Sequence, residues 1–555
     1  MHSDAEEYLS RGMVSHHAGR TIEALKHYVA ALVLRPAAAP ILNQLARLWL
    51  SAGGAQQAAL LLARAAASIP EASEFHANRG VALRASGQIK AAIAAYRTAL
   101  CLSPGEIDTW VNLSVALEQV GDLASGIRAG ANAIAAAPGR AELYFNQANF
   151  RRRLGEWDAS EAALGAAIER RRDFVEAYFN LGNLLLERHR QSEARRLLRA
   201  AVTLAPQHSR GWSNLALLDF AEGRQNHALA LCDRAIEADG GSEAKSSPDI
   251  ANMLANRFMI RLQEAPTAEW PRVVRSEPWA GQPHESVFIA HVSSAIGHWV
   301  GGDPAAMARD LGAADREAQM VTDWTRGNLD NIRQYRNLLR LLGSEPNQAD
   351  GAAPSAYIVG DSHCLSYVGS SVVIEGRPYA LAAELIMGCK AWHLANGEGN
   401  RYKSRFEWLA RQFRAGSPVV CSFGEIDCRP GEGLLPFIKR SGGAIEQVAA
   451  EQAGAYVEYI RRILSATGHR AVVAGIPAPH LRSPLYQRQG AEEADLRMLA
   501  EIIAAYNMSL RTACAAAGID FIDLYSITVG HDGVSHGRRH IDAIHLRPAG
   551  LIAGC

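Results

Sequence analysis

The chain has 555 residues, too many for a single compact core, so two or three domains are expected. Its 57 basic and 57 acidic residues cancel and no long Lys/Arg run occurs. That excludes nucleic acid as the main partner, because phosphate binding needs a concentrated cationic surface. No stretch of about 18 consecutive apolar residues is present, so no membrane span is expected. Residues Met1 to Glu7 are polar and acidic where a secretory signal is basic and then apolar. The eight cysteines (Cys101, Cys232, Cys364, Cys389, Cys421, Cys428, Cys514 and Cys555) show no paired short spacing. They read as reduced thiols in a cytoplasmic protein, without a disulfide framework or a zinc site. Six lysines against 51 arginines, with abundant alanine, reflect a GC-rich bacterial genome and carry no mechanism.

Along the chain, the first signal is an internal repeat. Pro36, Pro70, Pro104 and Pro138 stand 34 residues apart; Pro206 lies two periods further on, with Arg172 in the vacant place. Counting back gives seven units, 5–38, 39–72, 73–106, 107–140, 141–174, 175–208 and 209–242. The eighth place of each unit is small (Gly12, Ala46, Gly80, Ser114, Ala148, Gly182, Ala216) and the twenty-seventh is always alanine (Ala31, Ala65, Ala99, Ala133, Ala167, Ala201, Ala235). Antiparallel helices approach closely only where side chains are small, and a proline ends the second helix before the next unit. The pattern, with Val175-Glu-Ala-Tyr-Phe-Asn-Leu-Gly182 as its clearest instance, resembles the tetratricopeptide (TPR) repeat over 5–242. The resemblance implies an all-α superhelix with a concave groove. Asn78, Asn112, Asn146, Asn180 and Asn214 recur at the sixth place, which lines that groove in the family. Their amides suit an extended peptide backbone, since each offers one acceptor and two donors. Packing between adjacent helices is the alternative, and the residues alone leave both open.

The repeat fades into a Gly/Ser-rich stretch at 240–248, and 243–354 reads as a helical connecting region with flexible linkers at both ends. Trp270, Trp279, Trp299 and Trp324 imply real packing there, with no function attached.

From 355 the pattern changes to short apolar runs alternating with amphipathic helices. Strands are expected at Ala356–Val359, Pro418–Phe423, Ala471–Ile476 and Asp520–Leu524, and helices at Ala444–Ala466 and Glu492–Ala517. This predicts an α/β three-layer domain over 355–555 with a mainly parallel, flavodoxin-like sheet, whose chemistry sits at the C-terminal ends of strands. Two motifs fall at such places. Val359-Gly-Asp-Ser-His363 follows the first strand, where a tight turn presents a serine hydroxyl beside free N–H groups. Asp542-Ala-Ile-His545 has the spacing by which a carboxylate fixes an imidazole tautomer, leaving the other nitrogen to take a serine proton.

In this order, with the continuation His545-Leu-Arg-Pro-Ala-Gly550, the two motifs resemble the first and last blocks of the SGNH (GDSL-like) hydrolases. The resemblance implies Ser362 as nucleophile, His545 as general base and acid, and Asp542 as its orienting partner. Gly388, with the Ser362 N–H, corresponds to the oxyanion donors. The third family block carries an asparagine, but Phe423-Gly-Glu-Ile-Asp-Cys-Arg429 places Ile426 there, which cannot donate. Loss of one such donor costs roughly 100- to 1000-fold in rate. Arg429 on the same loop is a candidate replacement; alternatively Glu425, Asp427 and Arg429 form a local ion pair. Asp361, His363, Gly424, Glu425 and Asp427 are the expected pocket lining, and His480 in Ile476-Pro-Ala-Pro-His480 is expected to shape the cleft. His531, His536, His540 and His545 lack the carboxylate or thiolate spacing of a metal site, so no metal and no cofactor is expected. The whole reads as a serine esterase or O-acyltransferase acting on an acylated small molecule or glycan, with a protein or extended peptide held by the repeats. A catalytically weak adaptor is the alternative.

Overall fold

The computed structural model describes residues 2–239, 248–277, 279, 282–324, 329–344, 355–428, 433–480, 493–531, 533–537, 539–540 and 545–546. The chain separates into two compact units, Met1–Ala205 and Pro206–Cys555.

The first unit holds six helix pairs: α1 (His2–His17) with α2 (Thr21–Leu34), α3 (Ala39–Ser51) with α4 (Ala55–Ser68), α5 (Ser73–Ala85) with α6 (Ile89–Leu102), α7 (Ile107–Gln119) with α8 (Leu123–Ala136), α9 (Ala141–Arg153) with α10 (Trp157–Arg170), and α11 (Val175–Glu187) with α12 (Gln191–Leu204). The seventh pair, α13 (Ser209–Ala221) and α14 (Gln225–Ala238), opens the second unit. The small eighth residue has a physical cause. A Cβ on Gly12 would lie 2.5 Å from the Tyr28 ring, and one on Gly80 2.4 Å from Tyr96, because the twenty-fourth residue of each unit packs against it. All seven alanines at the twenty-seventh place are fully buried. Each turn between paired helices needs a left-handed residue: Gly19, Gly53, Gly87, Gly121, Gly155 and Gly223 supply it, whereas His189 adopts φ 59° at the same place.

Two of the groove asparagines are committed to packing. Asn78 donates to Asn43 Oδ1 at 2.9 Å, and Asn43 in turn to Glu74 at 2.7 Å. Asn180 donates to Asn149 at 3.2 Å. Asn112 and Asn146 make no side-chain hydrogen bond among the described residues. Asn214 lies half-buried in the second unit.

In the second unit, helices α15 (Pro248–Leu262), α16 (Trp270–Arg275), α17 (His284–Val300), α18 (Pro304–Ala318) and α19 (Leu329–Ser344) precede a six-stranded sheet. The strands are β1 (Ala356–Gly360), β2 (Ser371–Ile374), β3 (Arg377–Leu385), β4 (Pro418–Ser422), β5 (Arg470–Ala474) and β6 (Asp520–Ile522). The remaining helices are α20 (Ala391–Ala395), α21 (Arg401–Gln412), α22 (Leu434–Ser441), α23 (Ile445–Ala466), α24 (Glu493–Ala517) and α25 (Leu524–Thr528). The sheet order is β2-β3-β1-β4-β5-β6, parallel except for the β2–β3 hairpin. Without β2, this is the doubly wound 2-1-3-4-5 order, whose direction of winding reverses at β1.

Strand residues alternate between two cores. Ile358, Leu381, Leu385, Val420, Val472 and Ala474 face Phe258, Trp270, Phe288, Trp299 and Leu339. Val359, Val419, Cys421 and Val473 face Phe406, Tyr456, Ile460 and Leu510. Described helices of the 243–354 region thus share a core with one face of the sheet. They also cap the part of β3 that β2 leaves unpaired. Thr267 Oγ1 accepts from Leu385 N at 2.9 Å and donates to Glu384 at 2.8 Å. Glu384 faces the buried Arg405 at 3.6 Å, and Arg405 donates to the Gln263 carbonyl at 2.7 Å. Burial raises the Glu384 carboxyl against the pull of Arg405, and lowers Arg405 to about 10.

Candidate active site

The winding direction of the sheet reverses at β1, and Ser362, His363, Gly388, Gly424 and Glu425 follow the C-terminal ends of β1, β3 and β4, where doubly wound sheets carry their sites. Gly360 ends β1 so close to β4 that a Cβ would lie 2.5 Å from the Ser422 carbonyl, which explains the glycine. Asp361 then caps a 3-10 turn, Ser362–Tyr367, by accepting from His363 N at 3.0 Å. This turn is fixed from the helical layer, where Trp299 Nε1 donates to the Leu365 carbonyl at 2.9 Å.

The turn aims Ser362 at the far end of the chain. His545 Nε2 lies 2.8 Å from Ser362 Oγ across a sequence separation of 183 residues. Both side chains are buried, Ser362 at 8% and His545 at 6% exposure. The segment carrying His545 is tied down by an antiparallel bridge between His540 and Leu546 and by a 3.1 Å contact of His540 Nδ1 with Ser535 Oγ. His480, expected in the cleft, lies behind this segment, its Nδ1 3.1 Å from the Ser535 carbonyl. Asp542 and Arg429 lie outside the described residues.

His363, beside Ser362, was expected to line the pocket or merely fill the turn. Its ring stacks on His545, with centroids 4.6 Å apart and planes 29° from parallel. Its Nδ1 lies 3.0 Å from Asp361 Oδ1. Glu425 completes a buried polar wall, with ligand-type atoms of Asp361, His363 and Glu425 all within 4.8 Å of one another. Because Asp361 and His363 are hydrogen-bonded to each other, this group reads as the wall of the serine site.

Gly388 follows β3, directly beside β1, and its φ of 69° requires glycine. The N–H groups of Ser362 and Gly388 make no hydrogen bond among the described residues, as an oxyanion site requires. Gly424 has φ 116°, and a Cβ there would meet Ile476 at 3.1 Å and Tyr506 at 3.2 Å, so it is a packing glycine at the end of β4. Asp427, expected in the pocket lining, belongs to the scaffold beneath it. Its carboxylate accepts from Ala391 N at 2.7 Å and Trp392 N at 3.2 Å, pinning the start of α20. Burial pushes this carboxyl up from 3.8 to about 7; the two N–H groups pull the other way and Asp361 adds to the rise. The thiols of Cys364, Cys389 and Cys428 are fully buried and pushed up by burial, which makes them apolar filling.

The contacts around Ser362 and His545 that the sequence did not disclose are the His363 stack, the Trp299 brace and the Ser535–His540 support. Only the cluster of tryptophans in an otherwise unassigned segment pointed toward any of them.

Residues 43–107, 145–209 and 188–243 match the tetratricopeptide repeat family. No curated protein matches the chain. Among solved structures the chain is similar to MamA, residues 41 to the end, from Desulfovibrio magneticus RS-1, at 17% identity, covering 30% of this chain and 94% of that one with a TM-score of 0.29. It is similar to YrrB, described as a TPR protein with an unusual peptide-binding site, at 17% identity over 33% and 95% of the two chains with a TM-score of 0.30. A tetratricopeptide repeat protein from Parabacteroides merdae ATCC 43184 is 15% identical over 46% of this chain and 99% of its own, with a TM-score of 0.36. The chain thus carries tetratricopeptide repeats in its N-terminal half.

Proposed function

We propose that residues 355–555 form an SGNH-type serine hydrolase domain that cleaves or transfers an acyl group on oxygen, with an O-acetylated glycan or glycoprotein as substrate class. The repeats, as a protein-interaction module, recruit a protein partner or the substrate's polypeptide. The observation that carries the enzymatic reading is the 2.8 Å contact between His545 Nε2 and Ser362 Oγ at the winding switch of the sheet. A hydroxyl and an imidazole in this geometry form a nucleophile–base pair.

In this reading Ser362 Oγ bonds to the ester carbonyl carbon as its proton passes to His545 Nε2, and the carbonyl electron pair moves onto oxygen. The Ser362 and Gly388 N–H groups receive that oxyanion. On collapse the C–O bond to the alcohol breaks, the departing oxygen takes the proton from His545, and an acyl-serine remains. Water adds by the reverse sequence in hydrolysis, and a sugar hydroxyl does so in transfer. Asp542 and Arg429 keep the roles implied by the family resemblance, as orienting carboxylate and replacement oxyanion donor.

The test is fluorophosphonate labelling and p-nitrophenyl acetate turnover by the full chain, its Ser362→Ala variant and its Arg429→Ala variant. Labelling and turnover that vanish in Ser362→Ala are expected, with a loss of roughly 100-fold in Arg429→Ala. Absence of any Ser362-dependent labelling would overturn the enzymatic reading in favour of an adaptor. Unchanged turnover in Arg429→Ala removes that arginine from the site. For the repeats, Asn112→Ala with Asn146→Ala is expected to weaken capture of the partner without unfolding, because those amides are not committed to packing.

A further inference from the structure

His363 is buried against the Ser362–His545 pair, and the proposed chemistry leaves it unused. It stands next to the nucleophile in sequence, yet its ring lies flat on His545 and its Nδ1 is held by Asp361. Asp361 accepts from both the backbone N–H and the ring of the same residue, so the imidazole has little rotational freedom. In the proposed reaction a positive charge appears on His545 when it takes the serine proton, in a place where water has little access. A π face stacked on a cation attracts it, the more so when desolvated. A carboxylate behind the stack adds Coulomb attraction of the same sign.

We propose that His363 is a positioning residue: it holds the His545 ring in register with Ser362 and, with Asp361 behind it, stabilises the protonated imidazole from its face. This rests on the reading of Ser362 and His545 as a nucleophile–base pair. The arrangement requires the proton of neutral His363 to sit on Nδ1, facing Asp361, because a second cation in the stack would repel the first. Among the described residues, the carboxyls beside the stack are Asp361 and Glu425, with buried Asp427 and the thiols of Cys364 and Cys389 beyond Asp361 and the cation of Lys390 acting on Asp427. Asp361 and Glu425 favour a positive His545, and Arg429, in its proposed role at the oxyanion, opposes it.

The experiment is a histidine-selective NMR titration of the full chain, read at His545 in the parent, in His363→Ala and in His363→Phe. The assignment of the His545 signal comes from His545→Gln. The midpoint of His545 protonation is expected to move down by about one pH unit in His363→Ala, so that about tenfold more protons are needed, and to recover most of that in His363→Phe, which keeps a π face. In parallel, kcat for p-nitrophenyl acetate is expected to drop about tenfold in His363→Ala with KM little changed, again with partial rescue by phenylalanine. An unchanged His545 midpoint in folded His363→Ala, or a phenylalanine variant no better than alanine, overturns the proposal. The titration needs no turnover. If the parent lacks Ser362-dependent labelling, the enzymatic reading fails by itself, while the stack is still judged on the midpoint.

Discussion

Replacing Asp427 with asparagine is expected to change how the second unit responds to pH. In the unfolded chain this carboxyl ionises above its ordinary 3.8, whereas the folded protein keeps the proton until about 7 because the group is buried. Between those values the folded state binds more protons than the unfolded one, so unfolding free energy falls as pH rises. Across the whole window the loss amounts to about 4 kcal/mol, after which the contribution is flat. Asparagine does not ionise and resembles the protonated acid in shape; its carbonyl accepts from Ala391 N, while its amide nitrogen cannot accept the longer bond from Trp392 N. The Asp427→Asn variant should therefore lie about 1–3 kcal/mol below the parent near pH 4 and gain about 4 kcal/mol relative to it by pH 8. Hydrogen exchange of peptides spanning 386–396 and 418–428, corrected for intrinsic rates, reads this unit separately from the repeats. A parent whose stability does not fall between pH 4 and 7, or an asparagine variant less stable than the parent at pH 8, would refute the reasoning.

Three further outcomes follow from the fold. Arg405→Met leaves Glu384 buried beside Thr267 without its cation and should cost about 3–5 kcal/mol in urea unfolding of the second unit, largely recovered by adding Glu384→Gln. His189→Gly relieves the one left-handed turn among the described helix pairs of the repeats that is made by a side-chain-bearing residue, and should stabilise the first unit by about 0.5–1 kcal/mol in a thermal melt. A fragment of residues 355–555 should bind a hydrophobic dye and lack cooperative unfolding, because Ile358, Leu385 and Val472 lose the cover of Phe258, Phe288 and Leu339, whereas residues 206–555 should unfold cooperatively.

Much of this was legible in the sequence, for identifiable reasons. The repeat was readable because the same steric demand recurs at a fixed period, and the seven pairs of helices fall within its units apart from the first three residues of α1. Four of the six strands were visible as apolar runs, with β1 and β4 ending within a residue of the expected places. The β2–β3 hairpin was not. Arg377–Leu385 contains three alanines and reads as helix by propensity, and its turn is Glu375-Gly376, both at positive φ, in place of the Asn-Gly that would have announced it. What decides its conformation is the tertiary partner: β1 on one side and Thr267 on the other. Ser362 and His545 could be paired in advance because their two motifs, in that order, resemble the first and last blocks of one family. The face of His363 could not, since stacking depends on where a segment 182 residues later returns. Asp427 stood beside Gly424 and Glu425 in a loop that looked like pocket lining. Only the position of the α20 N–H groups shows that its carboxylate is spent within the scaffold.

The fit between the eighth and twenty-fourth places of a unit bears on how such an array can grow. Glycine meets tyrosine in Gly12–Tyr28 and Gly80–Tyr96, and where both are small, as in Ser114 and Gly130, Gln147 from the next unit fills the gap. A duplication that copies a whole unit carries its matched pair along and leaves the interior filled. A crossover between the two helices would join Tyr96 to Ala148 or Gly130 to Gly182, giving a clash in one product and a void in the other. A crossover at the turn inside a unit therefore keeps the interior filled only between units with the same pair, such as Gly12–Tyr28 with Gly80–Tyr96 or Ala46–Leu62 with Ala148–Leu164, whereas a crossover at the boundary between units keeps every pair intact.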